Sequence, residues 1–452
     1  GWSSAAGDVY AVTGLAVLFI VLTTTLCVIG TEVSANVQVV LSGIQILALL
    51  LFAVVALFKA VSGDVVADPI ELGEVAVPLD PATIDLSWFL PWDISSTSAL
   101  TAGLLIGVFL YWGWESSLTL NEESEDANEA PGKAGILATV LLVITYVLVA
   151  TAVVAYAGPA FMEVANEQGV ESGVFNALAT PVLGSELGKI VLLAVFTSAL
   201  ASTQTTILPA SRTSLSMARH KAAPDAFGSV SKRFFTPVFS TVAVGLVAIA
   251  WYVPLNLLAQ GSLFDSLQAL SLLIAFYYAI NGLACFCFYR NEVMRSPRWA
   301  AAVLIPFALG IFFVMIGGLG DYYDWSGTAG GAFDYVLYAG IAVMVLSGVM
   351  LLAGSRGIKP ALLTGFAPLV GAVLLGYVLI RSVVDLADPA NSDSGQTWLG
   401  VTPALVMGVG FLLVGIVLLI IWRFAVGKNA FFQRKRETVE PAVAAHAPIE
   451  AK

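Results

Sequence analysis

The residues best equipped for chemistry lie in 105–133. There an apolar stretch runs into Phe109, Tyr111, Trp112, Gly113, Trp114 and Glu115, then into five acids, Pro131 and Gly132. A carboxylate such as Glu115 is costly at membrane depth and persists where it faces a protein-lined cavity. Gly113 tolerates non-helical dihedrals and lets a ligand approach the main chain. A helix that unwinds near Phe109–Gly113 frees carbonyls for an ammonium and amides for a carboxylate. The N-terminal dipole of the following half-helix favours an anion. The rings of Tyr111 and Trp112 can stack on a small solute or close over it. An interfacial aromatic belt with a packing glycine accounts for the tryptophans taken alone. Their adjacency to Glu115 favours a binding site instead.

Other chemically capable residues are sparse. Tyr277, Tyr278 and Asn281 are the polar groups of one long apolar stretch, and Tyr277 and Asn281 share a helical face. Satisfied hydroxyls in ordinary packing explain them, and gating is the sharper alternative. Cys27, Cys285 and Cys287 all lie in apolar runs and make no disulfide framework. His220 and His446 are the two histidines, too few for a His-based metal site or a Ser-His-Asp hydrolase. No cofactor or metal is expected, and no enzymatic activity.

These residues must be positioned by membrane helices. At 58% hydrophobic and 11% charged, the 452-residue chain could not cover a water-facing surface with polar atoms. Windows of about 20 apolar residues predict about eleven spans. They run near 10–30, 36–60, 97–117, 134–158, 188–211, 236–257, 264–289, 298–318, 333–354, 361–383 and 402–425. With residue 1 outside, 17 of the 20 lysines and arginines fall on the inner side, leaving Lys59, Lys189 and Arg381 outside. That asymmetry predicts a cytoplasmic C-terminus. The acidic outer stretches, Asp64 to Asp93 and Asp385 to Asp393, are explained by solvation. Residues 1–427 are expected to form the bundle and 428–452 a cytoplasmic, disordered tail, with Lys428–Arg436 near anionic lipid.

Three stretches resemble one family. Phe109-x-Tyr-Trp-Gly-Trp-Glu-Ser, followed by Asn-Glu-Glu and Ala-Pro-Gly-Lys, is similar to the sixth helix and following loop of the amino acid–polyamine–organocation (APC) superfamily. Residues 198–237, with Ser-Ala-Leu-Ala-Ser-Thr-Gln, Ala-Ser-Arg-Thr-Ser-Leu-Ser-Met-Ala-Arg, Ala-Pro-Asp-Ala-Phe and Thr-Pro, resemble its eighth helix, inner loop and the start of the ninth. Ser34-Ala-Asn-Val-Gln38 resembles the entry to its fifth.

The resemblance implies an all-α, polytopic bundle with the LeuT-like (APC) inverted-repeat fold and a substrate near the midplane. It numbers the spans four to fourteen, so an N-terminally truncated chain is expected, without the family's broken first helix. It assigns Phe109 the place of an aromatic gate and Gly113 the unwound segment. Glu115 becomes an acid below the site, either tying the break to neighbouring backbone or taking part in proton coupling. Where many members carry a lysine whose ammonium replaces a sodium ion, this chain has Gln45, which cannot exchange a proton in that way. Ser198 and Ser202 stand where sodium-coupled relatives bind the ion, although serines back-bonding inside a membrane helix are common.

The expectation is therefore a permease of the cell membrane, moving amino acids or related amines by alternating access, coupled to H+ or Na+. Its partners would be a small-molecule substrate and the lipid bilayer, with no nucleic acid. A non-functional fragment of such a permease is the alternative. An ion channel would want a repeated filter motif or rings of charge, and neither is present.

Overall fold

A computed structural model of the chain describes residues 8–66, 68–72, 75–90, 97–121, 124, 126, 129–167, 173–259, 262–322, 332–392 and 394–425. The predicted tail, 428–452, lies outside the described residues. Among those described, nine helices are long and apolar enough to cross a membrane. Two shorter apolar helices, Leu100–Leu110 and Tyr338–Gly354, join them. Every predicted window thus overlaps a helix, although the third, 97–117, is helical only as far as Leu110 before five residues of turn, and the molecule is an all-α polytopic transmembrane bundle.

In chain order the helices are α1 (Val9–Ile29), α2 (Thr31–Ser62), α3 (Thr97–Leu110), α4 (Ser116–Thr119), α5 (Ala130–Ala157), α6 (Pro159–Glu167) and α7 (Val174–Arg219). After these come α8 (Val238–Leu258), α9 (Ser262–Val293), α10 (Pro297–Tyr322), α11 (Ala332–Gly354), α12 (Ile358–Asp385) and α13 (Pro403–Ala425). In hydrocarbon only a helix satisfies its backbone polar groups within one segment, which is why uninterrupted apolar runs fold this way. Serine and threonine within the spans turn their hydroxyls onto the preceding turn, as Thr145 does to the Leu141 carbonyl, so they add no unsatisfied group.

The packing falls into neighbourhoods. Helix α2 lies against α5 and α7, α1 against α8, and α9 against α12, α13 and α3, while α10 and α11 form a close hairpin. In that hairpin a Cβ on Gly340 would sit 2.8 Å from the Gly310 carbonyl oxygen, so two small residues let the backbones touch. One core joins Phe52, Val153, Tyr156, Phe161, Leu178 and Val182 from α2, α5, α6 and the start of α7.

Two features were not expected. The fifth span is preceded by helical structure: α6 and residues 174–183 sit above a kink at Gly184 (φ +80°) and bury Phe161 and Leu178 completely. Between α2 and α3 a hairpin, β1 (Ile70–Leu72) with β2 (Val75–Val77), pairs Ile70 with Val77. The chain then runs along the end of α5, where the Asp80 and Ala82 amides donate to the Ala157 and Ala155 carbonyls at 3.1 Å each. Gly158 makes this approach feasible, because its φ is +86° and an added Cβ would lie 2.1 Å from the Asp80 oxygen.

Candidate functional site

Helix α3 stops at Leu110. The next five residues, 111–115, are turns before the short helix α4. The Tyr111 amide still bonds in the α pattern to the Gly107 carbonyl (3.1 Å), whereas the Trp112 amide tightens onto the Phe109 carbonyl (3.1 Å). Gly113 then takes φ +105°, a conformation that L side chains rarely adopt. Helical bonding resumes with the Ser116 amide on the Gly113 carbonyl (3.0 Å) and Leu118 on Glu115 (2.8 Å). Unwinding was expected over Phe109–Gly113. It falls instead on 111–115, and Phe109 stays helical.

The break has its own supports. Glu115 turns its carboxylate back so that Oε2 accepts the Gly113 amide at 3.1 Å. The same oxygen accepts the Tyr278 hydroxyl of α9 at 2.5 Å. Tyr146 of α5 donates to the Leu110 carbonyl at 3.2 Å, and its ring meets Tyr111 edge-on at 5.5 Å. Ser117 bonds the carbonyls of Trp114 (3.2 Å) and Pro131 (3.0 Å). The Trp114 indole lies 6.2 Å from the Tyr278 ring and against Gly135, where a Cβ would meet it at 3.3 Å. Hydrogen bonds of this kind stand in for those lost where a membrane helix is interrupted.

Depth follows from helix geometry. Fourteen residues of α3 reach about 21 Å, so the interruption falls inside a hydrocarbon core of about 30 Å. Tyr278 lies near the middle of α9, whose 32 residues extend about 48 Å. Both measures put the Glu115–Tyr278 contact within the bilayer.

The other predicted residues divide into two groups. Phe109, Tyr111, Trp112, Gly113 and Glu115 are all half-buried. Tyr277 is 46% exposed and stacks on Tyr278 with ring centroids 5.1 Å apart, so it borders the break without bonding to it. Gln45, Ser198 and Ser202 belong to the neighbourhood of α2 and α7, away from the α3–α9–α12 packing. The turn α4 touches α7 and links the two groups. Gln45 is half-buried and its Nε2 is enclosed without a hydrogen-bond partner among the described residues. Ser198 is half-buried and Ser202 exposed.

Sequence reasoning missed Tyr146 as a support of the break. It also missed Gln204, whose Nε2 donates to the Ser34 carbonyl at 2.6 Å and contacts Ser34 Oγ at 2.5 Å. Both occur inside quoted or apolar stretches, but their partners are distant in the chain. Among the described residues no group of three or more His, Cys, Asp or Glu could hold a metal.

A bundle of membrane-crossing helices, one of them interrupted around a glycine and an acid, defines a polytopic membrane protein. A family model for amino acid permeases matches residues 3–319, and the chain belongs to the amino acid permease family. It is accordingly a membrane transporter of amino acids. No curated protein matches the chain at a significant level.

Proposed function

We propose that the chain is a secondary active transporter that moves amino acids or related amines across the cell membrane by alternating access around residues 111–115. The observation that carries this reading is the break itself. Gly113 at φ +105° opens the backbone inside the bilayer, and Glu115 and Tyr278 hold it open. The carbonyls of Tyr111 and Trp112 accept no backbone hydrogen bond from the described residues. They offer acceptors to the ammonium of an amino acid or amine. Phe109, Tyr111 and Trp112 are the substrate-facing aromatics in this reading, and Tyr277 borders the path.

The family match and the interrupted helix both support a LeuT-like arrangement, and the lysine and arginine asymmetry supports a cytoplasmic C-terminus. Coupling is to H+ or Na+. Glu115 is the proton candidate, and Ser198 with Ser202 the sodium candidate, while Gln45 carries no exchangeable charge. The test is uptake into proteoliposomes, driven separately by a sodium and a proton gradient, against a panel of amino acids and polyamines. Accumulation above protein-free vesicles under one gradient supports the reading. A panel with no accumulation under either gradient, from correctly inserted protein, overturns it.

A further inference from the structure

The structure contains an apolar space whose lining includes none of residues 109–115. It lies between α10, α11 and α12, has a volume of about 180 Å³, and is walled by Val303, Phe307, Met344, Leu351, Phe366 and Leu369. An apolar cavity of about 150 Å³ stays dry and takes an apolar ligand, so this one is not built for water. Its one hydroxyl, on Ser347, is already bonded to the Val343 carbonyl at 2.9 Å. Ile341 and Val345 line the space and are 46% and 63% exposed, so it opens sideways, where hydrocarbon lies. A π-helical stretch, Ala361–Phe366, supplies one wall and brings the Phe366 ring opposite Gly348.

The depth of this space is specific. At 1.5 Å per residue, Val303 lies about 9 Å from the start of α10, Gly348 about 9 Å from the end of α11, and Phe366 about 12 Å from the start of α12. Those three helix ends are brought to one level by the Met294–Ser355 bridge and by the Arg295 amide on the Gly354 carbonyl (3.0 Å). One leaflet contributes about half of a 30 Å core, so the crevice spans the acyl region of the leaflet nearest these ends.

The ends themselves are basic. Arg295, Arg298, Arg356 and Lys359 are all exposed, and none forms an ion pair among the described residues. The nearby acid in sequence is Glu292, accompanied by Arg290, so the surface keeps a clear positive excess. The Nε groups of Arg295 and Arg356 are tied to the Ser355 and Met294 carbonyls at 2.9 and 3.2 Å. This fixes both guanidinium groups at the hairpin mouth and leaves their outer nitrogens for a phosphate.

We propose that this crevice holds one acyl chain of an anionic phospholipid, whose phosphate rests among Arg295, Arg298, Arg356 and Lys359. An apolar slot at acyl depth beneath an unneutralised basic rim fits a lipid of that charge and no free phosphate, which would leave the slot unfilled. The proposal rests on the bilayer-spanning placement of α10 to α12 and is independent of what the permease carries.

The full chain in nanodiscs of phosphatidylcholine, doped with phosphatidylglycerol carrying a photoreactive acyl diazirine, tests it by mapping cross-linked peptides. Labelling is expected around Val345, Gly348 and Phe366, displaced by unlabelled phosphatidylglycerol and not by phosphatidylcholine. Arg356→Gln with Lys359→Gln should weaken retention roughly 30-fold, from two lost phosphate contacts. Gly348→Leu should abolish labelling by filling the slot, since a Cβ there meets only the Phe366 ring at 3.6 Å. Val345→Trp, at the exposed rim, takes its place if Gly348→Leu is not monodisperse. Equal displacement by both lipids, labelling unmoved by the charge and plug variants, or protection by a second copy of the chain would each overturn the proposal.

Discussion

Tyr278 and Gly113, 165 positions apart in sequence, are joined through a single carboxylate oxygen. Oε2 of Glu115 accepts the hydroxyl of one and the amide of the other. The bent backbone is therefore anchored to the middle of a continuous helix. Movement of α9 relative to α3 must stretch or break one of these two bonds.

Tyr278→Phe removes the donor and keeps the ring against Trp114 and Tyr277. Leaving one partner of a buried hydrogen bond unsatisfied costs about 1–3 kcal/mol. Initial uptake is expected to fall by an order of magnitude or more, with protein insertion unchanged. Wild-type uptake by this variant would mean that the bond is not needed for the transport cycle.

Glu115→Gln keeps an acceptor for the Gly113 amide but cannot carry a proton. We expect it to reduce or abolish uptake while leaving insertion intact. The decisive measurement is uptake across a pH series in proteoliposomes. A variant that retains the wild-type pH dependence would exclude Glu115 from coupling and leave it a structural tie.

Gly113→Ala meets no atom within 4 Å, so its effect is confined to backbone strain at φ +105°. Such strain costs about 1–3 kcal/mol. The expected outcome is a lower thermal midpoint in detergent together with reduced uptake, and Gly107→Ala, in the regular part of α3, serves as the control. Equal midpoints for the two variants would show that the break does not depend on this glycine.

Phe109→Ala leaves the helix intact and removes an aromatic surface from the last turn before the break. It should raise the KM for uptake more than it lowers the maximal rate. Unchanged uptake constants would remove Phe109 from the substrate path.

Phe161→Ala tests the core above the kink. The ring is fully buried with Phe52, Tyr156 and Leu178, and truncation of such a ring costs about 3–5 kcal/mol. A thermal midpoint indistinguishable from wild type would mean that this cluster contributes little to stability.

The bundle was legible in the sequence because a membrane helix must be written as an apolar run, and each of the eleven windows overlaps an apolar helix. The break was legible for the opposite reason. Gly113 beside Glu115 violates that rule, and such violations persist only where something compensates for them. What compensates was harder to read. Tyr278 and Tyr146 reach the break from α9 and α5, and their approach depends on how each helix is rotated in the packed bundle. Helix α6 escaped notice because Pro159–Glu167 is too short and too polar for a span. Its role emerges only when Phe161 meets Phe52 and Leu178.

The seam at Gly158 has a mechanical consequence. Because the loop around Asp80 and Ala82 is laced to the last carbonyls of α5, that loop and that helix travel as one lever. The same helix carries Tyr146, whose hydroxyl grips the end of α3. A fluorophore or binding protein placed on the loop would thus read tilting of the shaft beneath it, reporting from the water on events at the unwound turn.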